Sequence, residues 1–503
     1  MSKKSSNTIL KFDFKTKLDI LKNIRHEIKK KRFVLQESFE KFGFDNLNQL
    51  AKVKNTSQVK GYPFVASKIE SKILKGVKIG LKVVPIETRF DKNEHPTNLE
   101  FIALKELTDN IVYKNISPHI VYYLGLQKVS NKSRALKFLN LKRLEVEGII
   151  RTNSNMLISE YVEGGSLDSW IYDIYENDKT IKDEEWKALV FQLIYTIAVI
   201  QKYYRMMHND FHYGNILIDT SIQKKAGQYF VYTINGNTYY IPNNGFIPKL
   251  WDFEFAMVYS NKISEFYPNK FIIGDYKYDR KNHTTKEPSS SEDSSLDSDD
   301  HNVPYNYNEI YDLHYFLTSL LDLYISQELY DWILEIYPDE LIPRSDSSSD
   351  SSTDSSSDES SNNSNNSSID SIDRLKNKLD KISLNKESTI YSDSDNDTNS
   401  DNDTNSDSDT NSDTTSNSNS DDSDSDTDSD SDSDTDSDTD SDSDSSSMYN
   451  RYLSEGRMKN GIENEFNNLP IPLHILEHKF FSIFKNKPSD FNESISIYFK
   501  AGF

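Results

Sequence analysis

Cysteine is absent from the 503 residues of the sequence. This absence excludes disulfide bonds, thiolate metal sites and a cysteine nucleophile, and it suits a reducing compartment. No stretch is long and apolar enough to span a bilayer, and the first residues are polar and basic without an apolar run. We therefore expect a soluble intracellular protein with no signal peptide, no transmembrane segment and no membrane partner.

Acidic charge is concentrated in one segment of the chain. The formal net charge is -23, yet residues 345–447 hold 30 acidic and 5 basic residues, while the rest holds 51 acidic and 53 basic residues. A segment so rich in Ser, Asp and Asn cannot bury enough apolar surface to offset the entropy of ordering it. We predict that 345–447 is a disordered acidic insertion and that 286–302 is a shorter acidic loop.

The insertion allows three interpretations. Its Ser-Asp repeats could be phosphorylated by an acidophilic kinase, could bind basic proteins, or could form only a solvated linker. A stretch at 369–384 has apolar residues near helical spacing, which allows a docking helix as an alternative to disorder.

The basic segment 1–55 contains apolar residues at helical spacing, namely Leu18, Leu21, Ile24 and Ile28. This pattern predicts an amphipathic helix packed on the main domain, in preference to a nucleic-acid or membrane patch. We expect no direct binding of nucleic acid.

Residues 56–165 have the pattern of a small mixed lobe. A β-branched run at 77–86 predicts a buried strand, 94–112 predicts a helix with Leu104 and Leu107 on one face, and 155–165 predicts a strand that ends in a Gly-Gly turn.

Helical patterns dominate 166–344, and a globular pattern resumes at 448–503 after the insertion. The predicted elements are a core helix at 184–204, a hairpin around 235–237, a buried helix at 308–325 and a final helical cap at 469–484.

The stretch MMHNDFHYGNILID at 206–219 follows the core helix and has the form H-x-D-x-x-x-x-N. Phosphoryl transfer needs a carboxylate near the acceptor hydroxyl and a second group that holds metal beside the phosphates. Asp210 suits the first role, and the side-chain oxygen of Asn215 suits Mg²⁺. His208 would support the loop from beneath. A polar turn between a helix and a strand is the alternative.

Two further elements contribute to the same chemistry. Asp252 follows a short apolar strand and could carry a carboxylate that binds Mg²⁺. Lys82 lies within an apolar strand, where its ammonium is costly unless it is paired. The nucleotide phosphates and Glu100 are its predicted partners, with Glu106 as a competing carboxylate and a solvent-facing edge lysine as the alternative.

The segment LISEYVEGGSL at 157–167 could bind an adenine ring, which needs an apolar slot and backbone donors and acceptors. The backbone groups of Glu160 and Val162 would supply them. An ordinary strand and turn is the alternative.

The order of these elements resembles the eukaryotic-type protein kinase family over about 56–343, with 448–503 completing the second lobe. The resemblance implies an α+β fold with two lobes, a small β-rich N-lobe and a large helical C-lobe, interrupted by the acidic insertion. It implies ATP and Mg²⁺ as cofactors and a protein serine or threonine as acceptor. It also implies that Asp312 braces the backbone of the catalytic loop.

The composition, together with ISPHIVYYLG at 116–125, looks like kinase-like proteins of giant DNA viruses. This second resemblance implies the host cytoplasm as location, with packaging in the virion as an alternative.

Four departures from the family pattern are visible. Only Gly61 remains of the Gly-rich phosphate loop, Asn209 replaces an arginine, and Glu254 replaces the glycine of D-F-G in a chain without A-P-E. His212 occupies the position of a lysine, and its H-x-D-x-H-x-G-N loop is similar to haspin-type kinases and to aminoglycoside and choline phosphotransferases.

Three functions follow from these observations. An active protein serine/threonine kinase, using His212 beside the other catalytic residues, is the leading interpretation because its set of Lys, Glu, Asp, Asn and Asp is complete. A small-molecule phosphotransferase is the second, and a catalytically weak pseudokinase scaffold that acts through the insertion is the third.

Overall fold

The structure is a computed structural model. It describes residues 10–29, 58–59, 62–63, 65–69, 77–88, 96–132, 142–146, 148, 150–259, 270–273, 276–279, 284–286 and 307–343, and also 452–503 except 455, 460 and 467. Helices and strands are mixed throughout these residues, as an α+β fold requires.

The described helices, in chain order, are α1 (Phe14–Lys29), α2 (Pro96–Leu107), α3 (Lys142–Val146), α4 (Leu167–Glu176), α5 (Asp183–Tyr204), α6 (Tyr311–Ser319), α7 (Gln327–Ile336) and α8 (Pro472–Ile475). A π-helical turn, Thr108–Val112, extends α2. Short 3-10 turns are Tyr213–Asn215, Phe253–Phe255, Leu320–Asp322, Asp339–Leu341, Ile462–Asn464 and Lys479–Phe484.

The described strands are β1 (Gln58–Val59), β2 (Tyr62–Pro63), β3 (Val65–Ile69), β4 (Ile79–Glu87), β5 (Tyr123–Ser130), β6 (Ile150–Glu160), β7 (Met206–Met207), β8 (Ile216–Asp219), β9 (Tyr229–Ile234), β10 (Asn237–Pro242), β11 (Ile247–Leu250), β12 (Met257–Val258), β13 (Lys270–Ile273), β14 (Tyr276–Asp279), β15 (Thr284–Lys286), β16 (Leu453–Ser454), β17 (Arg457–Met458) and β18 (Ile497–Lys500).

An antiparallel sheet in the order β3-β4-β6-β5 forms the first part of the chain. Ile79, Leu81 and Val83 of β4 are buried, and Lys82 is buried between them. In the register of the sheet Lys82 stands between Ala66 of β3 and Leu157 of β6. A lysine in the middle of a four-stranded sheet cannot reach solvent along an open edge, so its ammonium needs partners within the fold.

Helix α1 lies on the main domain, as its apolar periodicity predicts. Leu18, Leu21 and Ile24 are buried, and Ile28 packs against the same core. Within the segment 1–55, the structure describes only residues 10–29.

Helix α5 is the centre of the second part of the chain. Its side chains are buried on every face from Trp186 to Gln201, which agrees with the prediction of a core helix at 184–204. At its start the Glu185 carboxylate accepts the Lys182 N–H at 3.1 Å, and at its end Arg205 adopts a left-handed conformation that stops the helix.

Two short antiparallel pairs follow α5 and position the loop that carries the H-x-D motif. Strand β7 pairs with β12, and β8 pairs with β11. Ile216, the first residue of β8, lies opposite Leu250, the last residue of β11. Antiparallel pairing therefore brings the residue that precedes β8 next to the residues that follow β11.

The hairpin predicted around 235–237 is present as β9 and β10. Asn235 and Gly236 form its two-residue turn, with φ of 51° and 76°. Two successive positive φ angles match the type I′ turn, whose twist suits a hairpin and which favours Asn-Gly.

The C-terminal region differs from the sequence prediction. The cap predicted as one helix at 469–484 consists of the short α8 and a separate 3-10 turn, and β18 pairs in parallel with β9. Likewise, the helix predicted at 308–325 ends at Ser319 and continues only as a 3-10 turn. In the predicted cap, Pro470 and Pro472 limit where a helix can begin, because proline is compatible only with the first turn of a helix. Helix α8 accordingly begins at Pro472.

The acidic insertion 345–447, its stretch 369–384 and most of the loop 286–302 lie outside the described residues, as does Gly61. Among the helices that the structure describes, none combines the length and hydrophobicity needed to cross a membrane.

Candidate active site

The centre of the candidate site is the buried ammonium of Lys82. Its Nζ lies 3.3 and 3.1 Å from the two carboxylate oxygens of Glu100 on α2 and 2.8 Å from Oδ1 of Asp252. The carboxylate of Glu254 lies 3.9 Å from the same nitrogen. Glu100, rather than Glu106, is therefore the helix partner of Lys82.

Helix α2 presents Glu100 because the adjoining face of the helix is buried. Leu99, Ala103 and Leu104 have no exposed surface, so the helix cannot rotate about its axis without exposing apolar area. Glu100 is itself fully buried.

The charges around Lys82 shift one another's pKa. Burial would lower the pKa of the Lys82 ammonium, but the carboxylates of Asp252 and Glu100 outweigh burial and raise it. Burial raises the pKa of Glu100, and the neighbouring charges of Asp252 and Glu254 act in the same direction against Lys82. Oxygens of Glu100, Asp252 and Glu254 lie within 4.8 Å of one another, so one ammonium faces three carboxyl groups.

The second half of the site is the loop between β7 and β8. The Asn215 amide donates from Nδ2 to the Asp210 backbone carbonyl at 2.9 Å and to its Oδ2 at 2.6 Å. These two bonds leave the Asn215 side-chain oxygen as the group that can face a cation. Asn215 and Asp210 are thus fixed relative to each other.

A backbone hydrogen bond connects the two halves. The Trp251 N–H donates to the Asn215 carbonyl at 3.1 Å, which extends the β8–β11 pairing by one step. Asp252 follows Trp251 directly, so the residue bound to Lys82 lies beside the loop that carries Asp210. The structure therefore brings Lys82, Asp210, Asn215 and Asp252 into one region.

His208 supports this arrangement from below. Its ring is buried and its Nε2 donates to the Trp251 carbonyl at 2.9 Å. The ring also packs 4.7 Å from the ring of Phe253, measured between centroids. His208 thus holds the residue that precedes Asp252.

Asp312 at the start of α6 braces the loop backbone, as the family resemblance implies. Its two carboxylate oxygens accept the N–H of His208 at 2.7 Å and of Asn209 at 2.8 Å. Asp312 is fully buried, and burial raises its pKa despite these bonds.

Asn209 has a structural role that its position in the motif did not suggest. Its backbone is left-handed, with φ of 63°, a region that asparagine tolerates better than most residues. Its side-chain Nδ2 donates to the Phe255 carbonyl at 2.8 Å. The asparagine that replaces an arginine therefore ties the loop to the segment after Asp252.

His212 lies over the loop beside Asp210. Its Nδ1 accepts the Gly214 N–H at 3.2 Å, and its Nε2 is 3.7 Å from Oδ2 of Asp210. A side chain at Gly214 would meet the His212 ring at 2.7 Å, so this ring position requires glycine there.

Arg457, which was not among the predicted site residues, also contacts this loop. Arg457 of β17, which follows the insertion, places Nη2 at 2.5 Å from Oδ1 of Asp210 and donates from Nη1 to the Asn209 carbonyl at 2.8 Å. Burial would raise the pKa of Asp210, but His212 and Arg457 outweigh burial and hold it below its usual range.

Glu160 and Val162, expected at the adenine edge, lie where β6 ends. The Glu160 N–H already donates to the Tyr122 carbonyl at 2.9 Å. The Glu160 carbonyl accepts the Ser159 hydroxyl at 3.2 Å and keeps a second lone pair for a ligand. Its side chain points into a buried cluster, 2.6 Å from the Lys249 ammonium and 3.5 Å from that of Lys17. Within the described part of the chain, no protein acceptor is found for the Val162 N–H.

The chain is similar to several proteins named as kinases, although no family model matches it. It is 26% identical over 281 residues to "Putative serine/threonine-protein kinase R400" of Acanthamoeba polyphaga mimivirus, covering 51% of this chain and 54% of that protein. It is 38% identical over 88 residues to "Probable serine/threonine-protein kinase 380R" of Invertebrate iridescent virus 6, covering 18% of this chain and 16% of that protein.

A cellular protein is similar over a shorter length. "Probable serine/threonine-protein kinase DDB_G0286465" of Dictyostelium discoideum is 34% identical over 104 residues, which is 20% of this chain and 8% of that protein. The chain thus spans about half the length of the mimivirus relative and less of the other two. It resembles, at modest identity, proteins of large DNA viruses that are named serine/threonine-protein kinases.

Proposed function

We propose that this chain, a divergent relative of viral proteins named serine/threonine-protein kinases, transfers the γ-phosphate of ATP to a serine or threonine hydroxyl of a protein, with Mg²⁺. The proposal rests above all on the Lys82 ammonium, which lies 2.8 Å from Asp252 and 3.1 Å from Glu100. A buried ion pair of this kind is costly to maintain for stability alone, and a phosphate-binding amine needs such orientation.

The donor atoms of the site suit a hard divalent cation. Asn215 and Asp252 would hold Mg²⁺ through side-chain oxygens, the ligands that Mg²⁺ prefers. The carboxylate of Glu254 lies within 4.8 Å of the oxygens of Asp252 and Glu100, which adds negative charge where a cation would offset it. When bound, Mg²⁺ would neutralise charge on the phosphates.

Asp210 would act as the base that accepts the proton of the acceptor hydroxyl. Its lowered pKa keeps it ionised at neutral pH, and its bonds to Asn215 and Arg457 fix its direction. Each carboxylate oxygen has more than one lone pair, so these bonds leave acceptor capacity for a hydroxyl. Lys82 would bind phosphate oxygens, with Glu100 holding the ammonium in place.

The end of β6 would bind the adenine ring. The Val162 N–H would provide a donor, and the Glu160 carbonyl, which also accepts the Ser159 hydroxyl at 3.2 Å, would provide an acceptor. Of the backbone groups of Glu160, the N–H is not available to a ligand, because it donates to the Tyr122 carbonyl.

The decisive experiment is phosphate transfer by the purified full-length chain, with labelled ATP, Mg²⁺ and a basic protein acceptor. Asp210→Asn should reduce the turnover number by roughly 10²-fold to 10⁴-fold, the range for loss of a general base. Asp173→Asn is the matched control, because Asp173 is exposed on α4 and distant in sequence from the loop. It should transfer phosphate at the wild-type rate.

Three outcomes would contradict parts of the proposal. Equal transfer by Asp210→Asn and wild type would remove Asp210 as the base. Binding of ATP without transfer would indicate a pseudokinase scaffold. Transfer to an aminoglycoside or to choline, with none to protein hydroxyls, would indicate a small-molecule phosphotransferase.

A further inference from the structure

We propose that Arg457, which follows the acidic insertion in sequence, is a positioning residue that holds the catalytic carboxylate of Asp210 in its working orientation. This inference rests on the proposed function, because it assigns Arg457 a part in the same reaction. It concerns a residue 247 positions away from Asp210, far outside the loop motif.

The geometry is that of a fork across the loop. One guanidinium nitrogen of Arg457 bonds Oδ1 of Asp210 at 2.5 Å, and the other donates to the backbone carbonyl of Asn209 at 2.8 Å. Two bonds from one planar group fix both distance and direction, which a single point charge cannot do. Arg457 therefore ties the carboxylate to the backbone that carries it.

The guanidinium is itself held in place. Its central carbon lies 4.4 Å from the centroid of the Tyr315 ring on α6, and only 11% of the side chain is exposed. Helix α6 also carries Asp312, which binds the N–H of Asn209 and of His208. The same helix thus orients the loop backbone through Asp312 and the arginine through Tyr315.

Arg457 does not close the site to an acceptor. It occupies Oδ1 of Asp210, whereas the Asn215 amide occupies Oδ2. Both bonds are single donations to oxygens that can accept two. The two donors therefore leave a lone pair on each oxygen, and 15% of the Asp210 side chain remains exposed to an acceptor.

Neither Asn209 nor His212 makes the contact with Asp210 that Arg457 makes. Asn209 is neutral and its side chain is committed to the Phe255 carbonyl, while His212 remains 3.7 Å from the carboxylate. Among the described residues, Arg457 is the only arginine that forms an ion pair with Asp210. The permanently charged cation beside the base therefore comes from a distant segment of the chain.

The segment that carries Arg457 lies near the last residue that the structure describes before the insertion. A Cβ built on the preceding residue, Gly456, would lie 3.6 Å from the Pro343 side chain, and Gly456 has a φ of +75°. Pro343 is the last described residue before the insertion. Pro343 and Gly456, which lie on opposite sides of the insertion in sequence, are therefore close together in the fold.

The test compares Arg457→Ala and Arg457→Lys with wild type in the transfer assay with ATP and Mg²⁺. Because a misplacement of about 1 Å can cost on the order of 10²-fold, Arg457→Ala should reduce the turnover number by roughly 10-fold to 100-fold, with the KM for ATP unchanged. Arg457→Lys should recover part of the loss, and added guanidinium ion at millimolar concentration should partly rescue Arg457→Ala. Lys500→Ala, an exposed lysine on β18 that also follows the insertion, is the control and should behave as wild type.

The outcomes separate this inference from the proposed function. No Asp210-dependent transfer by the wild type would overturn both. An active wild type with an equally active Arg457→Ala would overturn only this inference, and so would a higher rate in Arg457→Ala, which would indicate a blocking contact. An inactive Arg457→Ala that circular dichroism shows to be folded, and that neither lysine nor guanidinium rescues, would also overturn it.

Discussion

His119, outside the candidate site, is a buried histidine whose surroundings favour the neutral ring. Its ring is fully buried, its Nδ1 donates to the Pro248 carbonyl at 2.8 Å and its Nε2 accepts from the Tyr232 hydroxyl at 2.7 Å. Both ring nitrogens are thereby satisfied in the neutral form. Burial lowers the pKa of His119 to about 3.

This histidine predicts a pH dependence of stability. The unfolded chain binds a proton at His119 near pH 6.5, whereas the folded chain resists protonation down to about pH 3. The free energy of unfolding should therefore fall as the pH drops below 6.5, by about 1.4 kcal/mol per pH unit for one such group. His119→Gln should remove this part of the slope, measured by urea denaturation between pH 7 and pH 4.5.

The exposed His26 on α1 provides the control for that measurement. His26→Gln makes the same change of side chain at an exposed position and should keep the wild-type slope. The buried His314, whose pKa burial lowers to about 4, contributes to the slope in all three proteins and cancels in the comparison. An unchanged slope in His119→Gln would contradict the assignment.

Sequence reasoning at the residue scale succeeded where a side chain conflicts with its local surroundings. Lys82 stands among apolar strand residues, so a carboxylate partner was required, and Glu100 lies on the next helix. Asp252 was assigned to the same site as Asn215 because it lies downstream of Asn215, after a hairpin, in the order typical of the family. Arg457 could not be predicted in this way, because no motif surrounds it in the sequence. Its partner Asp210 comes near it only when the chain is folded.

At the scale of elements, α1 joins the rest of the fold by apolar and ionic contacts together. Leu21 is almost fully buried, and the Lys17 ammonium lies 2.6 Å from the Asp219 carboxylate and 3.5 Å from that of Glu160. The helix thus reaches the end of β6, where the proposed adenine-binding backbone lies. It thereby contributes to the position of that backbone.

Leu21→Ala should test how much α1 contributes to stability. Removal of a buried leucine side chain leaves a cavity, so the free energy of unfolding should decrease by about 2–5 kcal/mol. The measurement is chemical denaturation followed by circular dichroism. Lys15→Ala, on the exposed face of the same helix, should change stability by less than about 0.5 kcal/mol. Equal stability of both variants would show that α1 is not packed in solution.

Elements with strong periodicity were predictable, and those fixed by distant pairing were not. The all-round apolar pattern of α5, the apolar stripe of α1 and the Asn-Gly turn of the β9–β10 hairpin each express a local rule. Strand β18 is four residues long and gains its hydrogen bonds from β9, more than 260 residues earlier. Its sequence alone does not distinguish it from a loop.

At the scale of the whole molecule, the insertion separates segments that belong together. Arg457 and β18 follow the insertion, yet they contact Asp210 and β9, which precede it. The contacts of the loop that carries Asp210 are therefore complete only when the two parts of the chain are both folded. The motif order along the sequence predicted the first part of the site, but not its dependence on the second.

Replacement of 345–447 by a short Gly-Ser linker should leave the melting temperature unchanged or slightly higher. Pro343 and Gly456 lie close together, so a short linker can connect the parts of the chain that carry them. Shortening a flexible loop about tenfold lowers its closure cost by only about 2 kcal/mol. The measurement is thermal denaturation, with the phosphate-transfer rate as a second readout. A large fall in melting temperature would show that the insertion is part of the folded structure.

The meeting of Gly456 and Pro343 has one more consequence. A protease cut anywhere in the intervening stretch would break the covalent chain without removing any of the contacts described for Arg457 or β18. The products would be a long and a short polypeptide, held together by the β9–β18 pairing and by buried aromatic side chains such as Phe481 and Phe499. Such a nicked protein would have its base and the arginine that orients it on two different polypeptides.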